Sequence, residues 1–417
     1  MLRRYPLPRK LWHNRILVTL VFEPGGTAME TIAIEPNATQ SIVFSTSNPD
    51  HFVKLKWDIG TAYDMFVSLA ILHRPETIGL RASWAAGVRS RLPGPERDFL
   101  QRTAEIMFPY HWVYTLPAPK DGRTVIDALA ALPARDRLPA LDSPGDLHQD
   151  VTSILKDVSE RRSWDAKDLQ ALTALAHGLG WEGKPAAEVK RIIQLNLDLW
   201  ADLEGSGQAL LSALEAYQEQ FFAEEEGRIQ PYLESALCRA QEVAGRVTLL
   251  ELLEEMSQGV RLVEAQRKDE LVMVPSFWTT PKLIFAQVGA GRDLYLYGAR
   301  PAGVSLIPGD EVPDALFQAL KALADPTRLR ILRYLTDEPQ TPAQLARRLR
   351  LRPPTVIHHL DALRLARLVH ITLTEEGKQY AARPGAVNAT FALLDEFLTT
   401  EGEDGLDGAG GDTDFAS

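Results

Sequence analysis

Two adjacent histidines, His358 and His359, stand inside "RLRLRPPTVIHHLDALRLARLV", residues 348 to 369. Paired histidines serve metals, proton transfer or polar recognition, and the neighbours decide which. Adjacent residues of a helix diverge by about a third of a turn, so the two rings are poorly placed to share one ion. A borderline or soft metal would also need thiolates or further imidazoles. The chain has one cysteine, Cys238, in the helical setting "PYLESALCRAQEVA", where a buried structural thiol is expected. There is no G-x-G-x-x-G after a strand-like run, no G-K-[ST], no H-E-x-x-H and no G-x-S-x-G. No nucleophile–base pair stands out, so no enzyme, no cofactor and no metal is expected.

The remaining chemistry is recognition. Prolines at 353 and 354 lose no intrahelical hydrogen bond in a first turn and leave the helix mouth open to a phosphate. Val356, Leu360 and Leu363, at spacings of four and three, share an inward face, while Leu365 and Leu368 form the exit. Arg352, Thr355, His358 and His359 are then the polar candidates for a DNA groove.

Such a helix needs a platform, and the flanking sequence supplies one. A helix is expected over about 312 to 323, and a second at "TRLRILRYLT" with Leu329, Ile331, Leu332 and Leu335 as its apolar residues. Thr341 can cap a third, "PAQLARRL", whose first position is Pro342. Two short helices joined this tightly make a helix-turn-helix, and "LVHITL", "TEEGK" and "QYAAR" follow as strand, turn and strand of a wing. Arg347, Arg348 and Arg350 should attract the DNA backbone, Thr341 and Thr355 should contact phosphates, and Lys378 and Arg383 are the wing candidates.

This region resembles the ArsR/SmtB family of bacterial winged helix-turn-helix repressors. The similarity runs through "LADPTR" at 323 to 328, then Leu345, Ala346, Leu349, Leu351, Pro354, Thr355, Val356, His359, Leu360, Leu363, Leu368 and Val369. It implies a homodimer that reads a pseudo-palindromic operator in double-stranded DNA. Related regulators pair through their outer helices. Here those offer Val312, Leu316, Ala319, Leu320 and Leu323 on one stripe, and Val387, Thr390, Phe391, Leu394 and Phe397 or Leu398 on another. Both stripes would equally serve packing inside one chain. Three departures stand out. Ile357 replaces a small hydroxyl residue, Arg352 and Pro353 replace a polar pair, and the family's metal ligands are missing, with Asp395 and Glu396 but no histidine on the closing helix.

At 417 residues the chain is long enough for two or three domains, and no apolar run reaches the roughly 18 residues of a membrane span. A formal charge of −11 argues against a protein that coats nucleic acid. Residues 314 to 383, however, carry 12 Lys+Arg against 7 Asp+Glu, while everything after 383 has 8 acidic residues and no Lys or Arg. A basic module between acidic neighbours fits a DNA reader attached to something else. The acidic balance elsewhere also fits an alternative, a protein-interaction scaffold that kept the winged helix without reading DNA.

The expected fold class is α+β, with a C-terminal winged helix-turn-helix at 313–398 joined to a large, mostly helical α+β region at 1–300. Residues 301–312, "PAGVSLIPGDEV", read as the linker, and the acidic, glycine-rich 399–417 as a disordered tail. "RILVTLVF" near the start reads as a first strand rather than an export signal, which makes the protein cytoplasmic, and "EPGGTAME" reads as a hairpin turn. A run of helices from 147 to 258 is expected to break near "GLGWEGKP" and "EGSG". "DIGTAYDMFVSLAILHRP" and "LVMVPSFWTTPKLIFAQ" resemble a long N-terminal extension in one subset of ArsR-like regulators. Its expected role is to bind a small organic ligand, or another protein. Tyr110, Trp112 and Trp278 are candidates to line a pocket, with core packing as the alternative.

Overall fold

The sequence "ELVMVPS" has no polar alternation, and the structure, a computed structural model, gives the reason. The structure describes residues 42–45, 51–104, 106–141, 149–176, 185–289, 291–374 and 377–399. The expected N-terminal strand, its glycine turn and the acidic tail lie outside these residues. Strands β1 (Ile42–Ser45), β2 (Phe52–Trp57), β4 (Glu270–Ser276), β5 (Leu283–Gly289) and β6 (Arg292–Gly298) form one sheet in the order β1-β2-β4-β6-β5. Strand β4 runs parallel to β2 and β6 at the centre, and all seven of its residues are buried. A parallel strand covered on both faces needs a continuous apolar run. The edge strands β1 and β5 pair antiparallel, and β5 returns to β6 through a tight turn in which Gly291 takes φ +68°.

Helices surround this sheet: α1 (Thr61–His73), α2 (Ala82–Ser90), α3 (Gly94–Thr103), α4 (Tyr110–Thr115), α5 (Gly122–Ala130), α6 (Ala134–Ala140), α7 (Gln149–Arg161), α8 (Ala166–Ala176), α9 (Ala186–Ala201), α10 (Leu203–Tyr217), α11 (Ala223–Ala244) and α12 (Leu249–Met256). Helices α7 to α9 keep a small core of their own around Leu155, Val158, Ile193 and Trp200. The break expected near "EGSG" falls just before it, at Asp202 between α9 and α10, and "EGSG" itself forms the first turn of α10. Asp202 caps it by accepting from the Gly205 N–H at 3.0 Å, and Gly207 lets it close on the Ala134 carbonyl of α6. Helix α10 continues through a π turn, Gln218–Phe222, into α11.

Helix α1 buries twelve of its thirteen residues, one of them a carboxylic acid. Asp64 accepts from the Ser276 hydroxyl at 2.6 Å and from the Phe277 and Trp278 N–H groups at 3.0 and 2.9 Å. It therefore holds the turn that leaves β4 and ties it to α1. Burial pushes its pKa up to about 7, against the downward pull of these three bonds. Trp278 donates its ring N–H to Glu225 at 2.8 Å, and Glu225 pairs with Arg228.

The C-terminal part contains α13 (Asp314–Leu323), α14 (Pro326–Asp337), α15 (Pro342–Leu349), α16 (Pro353–Leu365), the hairpin β7 (Val369–Thr374) and β8 (Gly377–Ala382), and α17 (Ala386–Thr399). It is not hung on a loose tether. Strand β3 (Val260–Arg261), from the large region, adds to the hairpin in parallel, in the order β3-β7-β8. Residues 301–312, read as the linker, contain buried Leu306 and Ile307. Arg228 donates to the Leu306 carbonyl, and Asp314 accepts from both the Leu306 N–H and the Arg300 guanidinium at 2.6 Å. One continuous hydrophobic core runs from the large sheet to the inner faces of α14, α15 and α16. No helix among the described residues is long and apolar enough to cross a membrane.

Asp64 generates a test. Asp64→Ala strands two buried N–H donors and a hydroxyl, and should cost about 3 kcal/mol or more in urea unfolding at pH 7. Asp64→Asn keeps an acceptor and should cost less. The native carboxyl binds its proton more tightly than the unfolded one, whose ordinary pKa is 3.8. Wild-type stability should therefore fall as pH rises from about 4 to about 7, and Asn should flatten that slope. Equal losses in Ala and Asn, with an unchanged slope, would contradict this role.

Candidate nucleic-acid interface

Each helix of the C-terminal unit is set by its own ends. Asp325 caps α14, accepting from the N–H groups of Thr327 and Arg328 at 2.8 and 2.9 Å, with Pro326 in the first turn. These bonds hold its carboxyl below the ordinary range, the Arg328 N–H contributing most. Thr341 caps α15 in a reciprocal box with Gln344: Gln344 N–H donates to the Thr341 hydroxyl, and Thr341 N–H donates to Gln344 Oε1. The Thr341 hydroxyl, expected to meet a phosphate, is itself already bonded to Gln344 Oε1 at 2.9 Å. Arg350 ends α15 in the left-handed region at φ 55°, and three residues later α16 begins.

The first turn of α16 has no side-chain cap; Arg352 stands before it and Pro353 opens it. Pro353 and Pro354 carry no N–H, and the next two N–H groups, of Thr355 and Val356, donate to the Arg352 carbonyl at 3.1 and 3.2 Å, so the mouth presents side chains rather than free backbone donors. Arg352, Pro353, Pro354, Thr355, Ile357 and His358 are exposed, whereas Val356, Leu360 and Leu363 are wholly buried. The polar mouth faces out and the leucine face packs inward, as the spacing predicts. The two histidines part company. His358 is exposed, while His359 turns half-buried toward Asp325, 4.0 Å from its carboxylate. Burial lowers the His359 pKa, chiefly by desolvation, so the ring resists charging. Ile357 lies at 43% exposure beside His358, an apolar side chain among the polar ones at the mouth.

Arg347 and Arg350 are exposed. Arg348 is exposed too, but it pairs with Glu338 at 2.9 Å and lies over the Tyr334 ring. On the hairpin, Lys378 is half-buried, and burial lowers its pKa while Asp361 of α16 opposes the shift. Arg383 sits at the base of β8, its N–H donating to the Leu368 carbonyl. Helix α14 adds exposed Arg330 and Arg333, legible beforehand only as part of the local basic surplus.

Residues 323–372 match the family profile of a helix-turn-helix domain. The match runs from the end of α13 through α14, α15 and α16 into β7, so the unit just described is a helix-turn-helix, a fold of DNA-binding regulators. No curated protein and no solved structure matches the chain.

The other expected sites fare differently. Tyr110 and Trp278, offered as pocket-lining aromatics, are 2% and 0% exposed, within the main core. Trp112 is partly buried against the same core, on helix α4. Beside Tyr110 lies a cavity of about 10 Å³, bordered by Ile71, Ile78 and Lys282, with room for about one water. Cys238, expected to be buried, is exposed on α11. Among the described residues no group of three or more His, Cys, Asp or Glu is placed to hold a metal ion.

The Asp325 cap is the most direct point to perturb. Asp325→Ala should lower stability by about 1 kcal/mol in denaturant titrations at pH 7. The folded carboxyl has the depressed pKa, so the advantage of wild type is complete above the unfolded value of 3.8 and shrinks as pH falls below it. A difference that persists unchanged at pH 2 would mean the cap acts by packing, not by charge.

Proposed function

We propose that the protein is a sequence-specific transcriptional repressor of the ArsR/SmtB winged helix-turn-helix kind, cytoplasmic and without catalytic activity. The observation that carries this reading is α16: an uncapped, exposed N-terminal turn with an inward apolar face, inside a helix-turn-helix domain. A helix so placed offers the Thr355 hydroxyl to phosphates, and His358 and Arg352 to base edges. The hairpin β7–β8 serves as the wing, with Lys378 and Arg383 beside the backbone. Non-specific attraction comes from the arginines of α14 and α15, which an otherwise acidic chain concentrates on one module.

Selection from a genomic promoter library at several salt concentrations should enrich a pseudo-palindrome. Thr355→Ala combined with His358→Ala should weaken that site about tenfold or more while leaving non-specific binding nearly unchanged. Arg347→Ala should instead weaken all sequences alike and reduce the salt slope by about one. Absence of any enriched sequence, together with a stoichiometric protein partner in pull-downs, would favour the scaffold alternative.

The reading includes a homodimer built on α13 and α17, which pack together and leave an apolar surface outward. Phe391 and Leu398 are 54% and 70% exposed, and Val387 is exposed beside them. Phe317, absent from the expected set, joins them at 52%. Leu316, expected at the interface, is buried inside the chain, and Leu320 and Leu394 are half-buried. Light scattering should give about twice the 46.3 kDa chain mass, and Phe391→Glu should halve it without unfolding the protein. A wild-type monomer at micromolar concentration would overturn this part.

The large region is read as the sensor for a non-metal ligand. The support is its union with the reading unit, since β3, Arg364 and Asp314 all cross between them. A ligand that favours one arrangement of that union by several kcal/mol would move most molecules between DNA-competent and incompetent states.

A further inference from the structure

Helix α16 exposes one side chain that hydrogen bonding cannot account for. Val356, Leu360 and Leu363 are wholly buried and set the inward direction of the helix. At about 100° per residue, His358 points most directly outward, with Thr355 on one flank and Ile357 on the other. Ile357 is 43% exposed. Its neighbours on the helix surface, at spacings of three and four, include exposed Pro353, Pro354 and Asp361. The prolines carry no N–H, and an ionised carboxylate only accepts. This flank therefore offers no hydrogen-bond donor and carries a negative charge.

Two surfaces of a DNA duplex could lie against it. A phosphate strand is a poor match, because its oxygens call for donors and the Asp361 carboxylate repels them. The base edges remain. In the major groove they present donors, acceptors and one apolar group, the C5-methyl of thymine. Against any other edge an isoleucine covers a polar atom and leaves it without water or partner. Against the methyl, both groups leave water and no polar atom is stranded. Isoleucine is β-branched and holds mostly one rotamer in a helix, so little freedom is lost in placing it. A protein partner fits less well. From α15 to the end of β8 no other large apolar side chain is exposed among the described residues, and one isoleucine amid polar groups is no docking patch.

We infer that Ile357 is a specificity-determining residue that reads a thymine methyl in the major groove, so each half-site holds a thymine at the step facing this flank of α16. The inference rests on the DNA-reading function proposed above. It adds which base the helix selects there, and through which group.

The test takes the methyl from the DNA and leaves the protein intact. The full chain is bound to the sequence enriched from the promoter library, and each thymine is replaced in turn by uracil, in both half-sites at once. At one position the replacement should weaken wild-type binding about fourfold per half-site, the worth of one buried methyl group. Ile357→Ser should bind the thymine and uracil forms of that site equally, and Ile357→Val should keep most of the difference. Both variants should unfold in urea at the wild-type midpoint, since the side chain is exposed. An enriched site at which no uracil matters would overturn the inference and leave the regulator reading standing. So would a uracil effect that is the same in Ile357→Ser as in wild type. If no sequence is enriched at all, the regulator reading falls and the inference falls with it.

Discussion

The two ends of α16 live under opposite constraints, and much of the molecule follows from that difference. At its C-terminal end the helix is fastened by Arg364, whose guanidinium crosses to the carbonyls that end α12. A long cationic side chain can be buried there because two unsatisfied helix-end carbonyls receive it. Three residues beyond α16 the chain enters β7, which takes β3 as a parallel neighbour. Side chain and backbone thus make the same connection, between helix-turn-helix and large region, from two sides. The N-terminal end has no comparable partner. Its prolines, its missing cap and its outward polar residues leave it directed at solvent.

A second line of polar contacts reinforces the connection from deeper in the core. Asp64 fixes the turn after β4, which places Trp278 on Glu225; Glu225 orients Arg228, and Arg228 holds the Leu306 carbonyl. The Leu306 N–H and Arg300 both reach Asp314, the first residue of α13. Each buried charge in this series has an opposite charge or a peptide dipole beside it, the condition under which buried polar groups are tolerated. The series occupies the stretch that composition alone marks as a linker. Proline and glycine there shape an ordered crossing, because buried Leu306 and Ile307 anchor it.

What was legible in the sequence was local. The inward face of α16 follows from the spacing of Val356, Leu360 and Leu363, and the α15 cap from Thr341 and Pro342, all within a few residues of one another. What escaped depends on partners far along the chain. Nothing near Val260 and Arg261 announces a strand, because two residues become one only when β7 lies alongside. The glycines of "EGSG" mark the break at Asp202, but do not reveal that Gly207 admits the Ala134 carbonyl, where any side chain would collide. Arg364 has no partner nearby in the sequence; α12 supplies its carbonyls. Of the candidate site, exposure of Thr355 and His358 was legible from helical period. The inward turn of His359 was not, since Asp325, which it faces, belongs to the start of another helix.

The charge distribution now has a structural reading as well as a compositional one. A chain of net charge −11 would be repelled by a polyanion at long range. At ordinary salt, screening limits that repulsion to about 8–10 Å, so the local surplus on residues 314–383 governs close approach. Part of that surplus cannot help, however. Arg364 is spent on α12, Arg348 pairs with Glu338, and Lys378 is half-buried with the Asp361 carboxylate opposing its loss of charge. The cations left exposed near the mouth of α16 are chiefly Arg347, Arg350 and Arg352, with Arg330 and Arg333 on α14. Attraction from so few charges is modest and strongly salt-dependent, which places the burden of tight binding on geometry. Geometry of that kind needs a rigid mount for the reading helix, and the buried fastening at its far end supplies it.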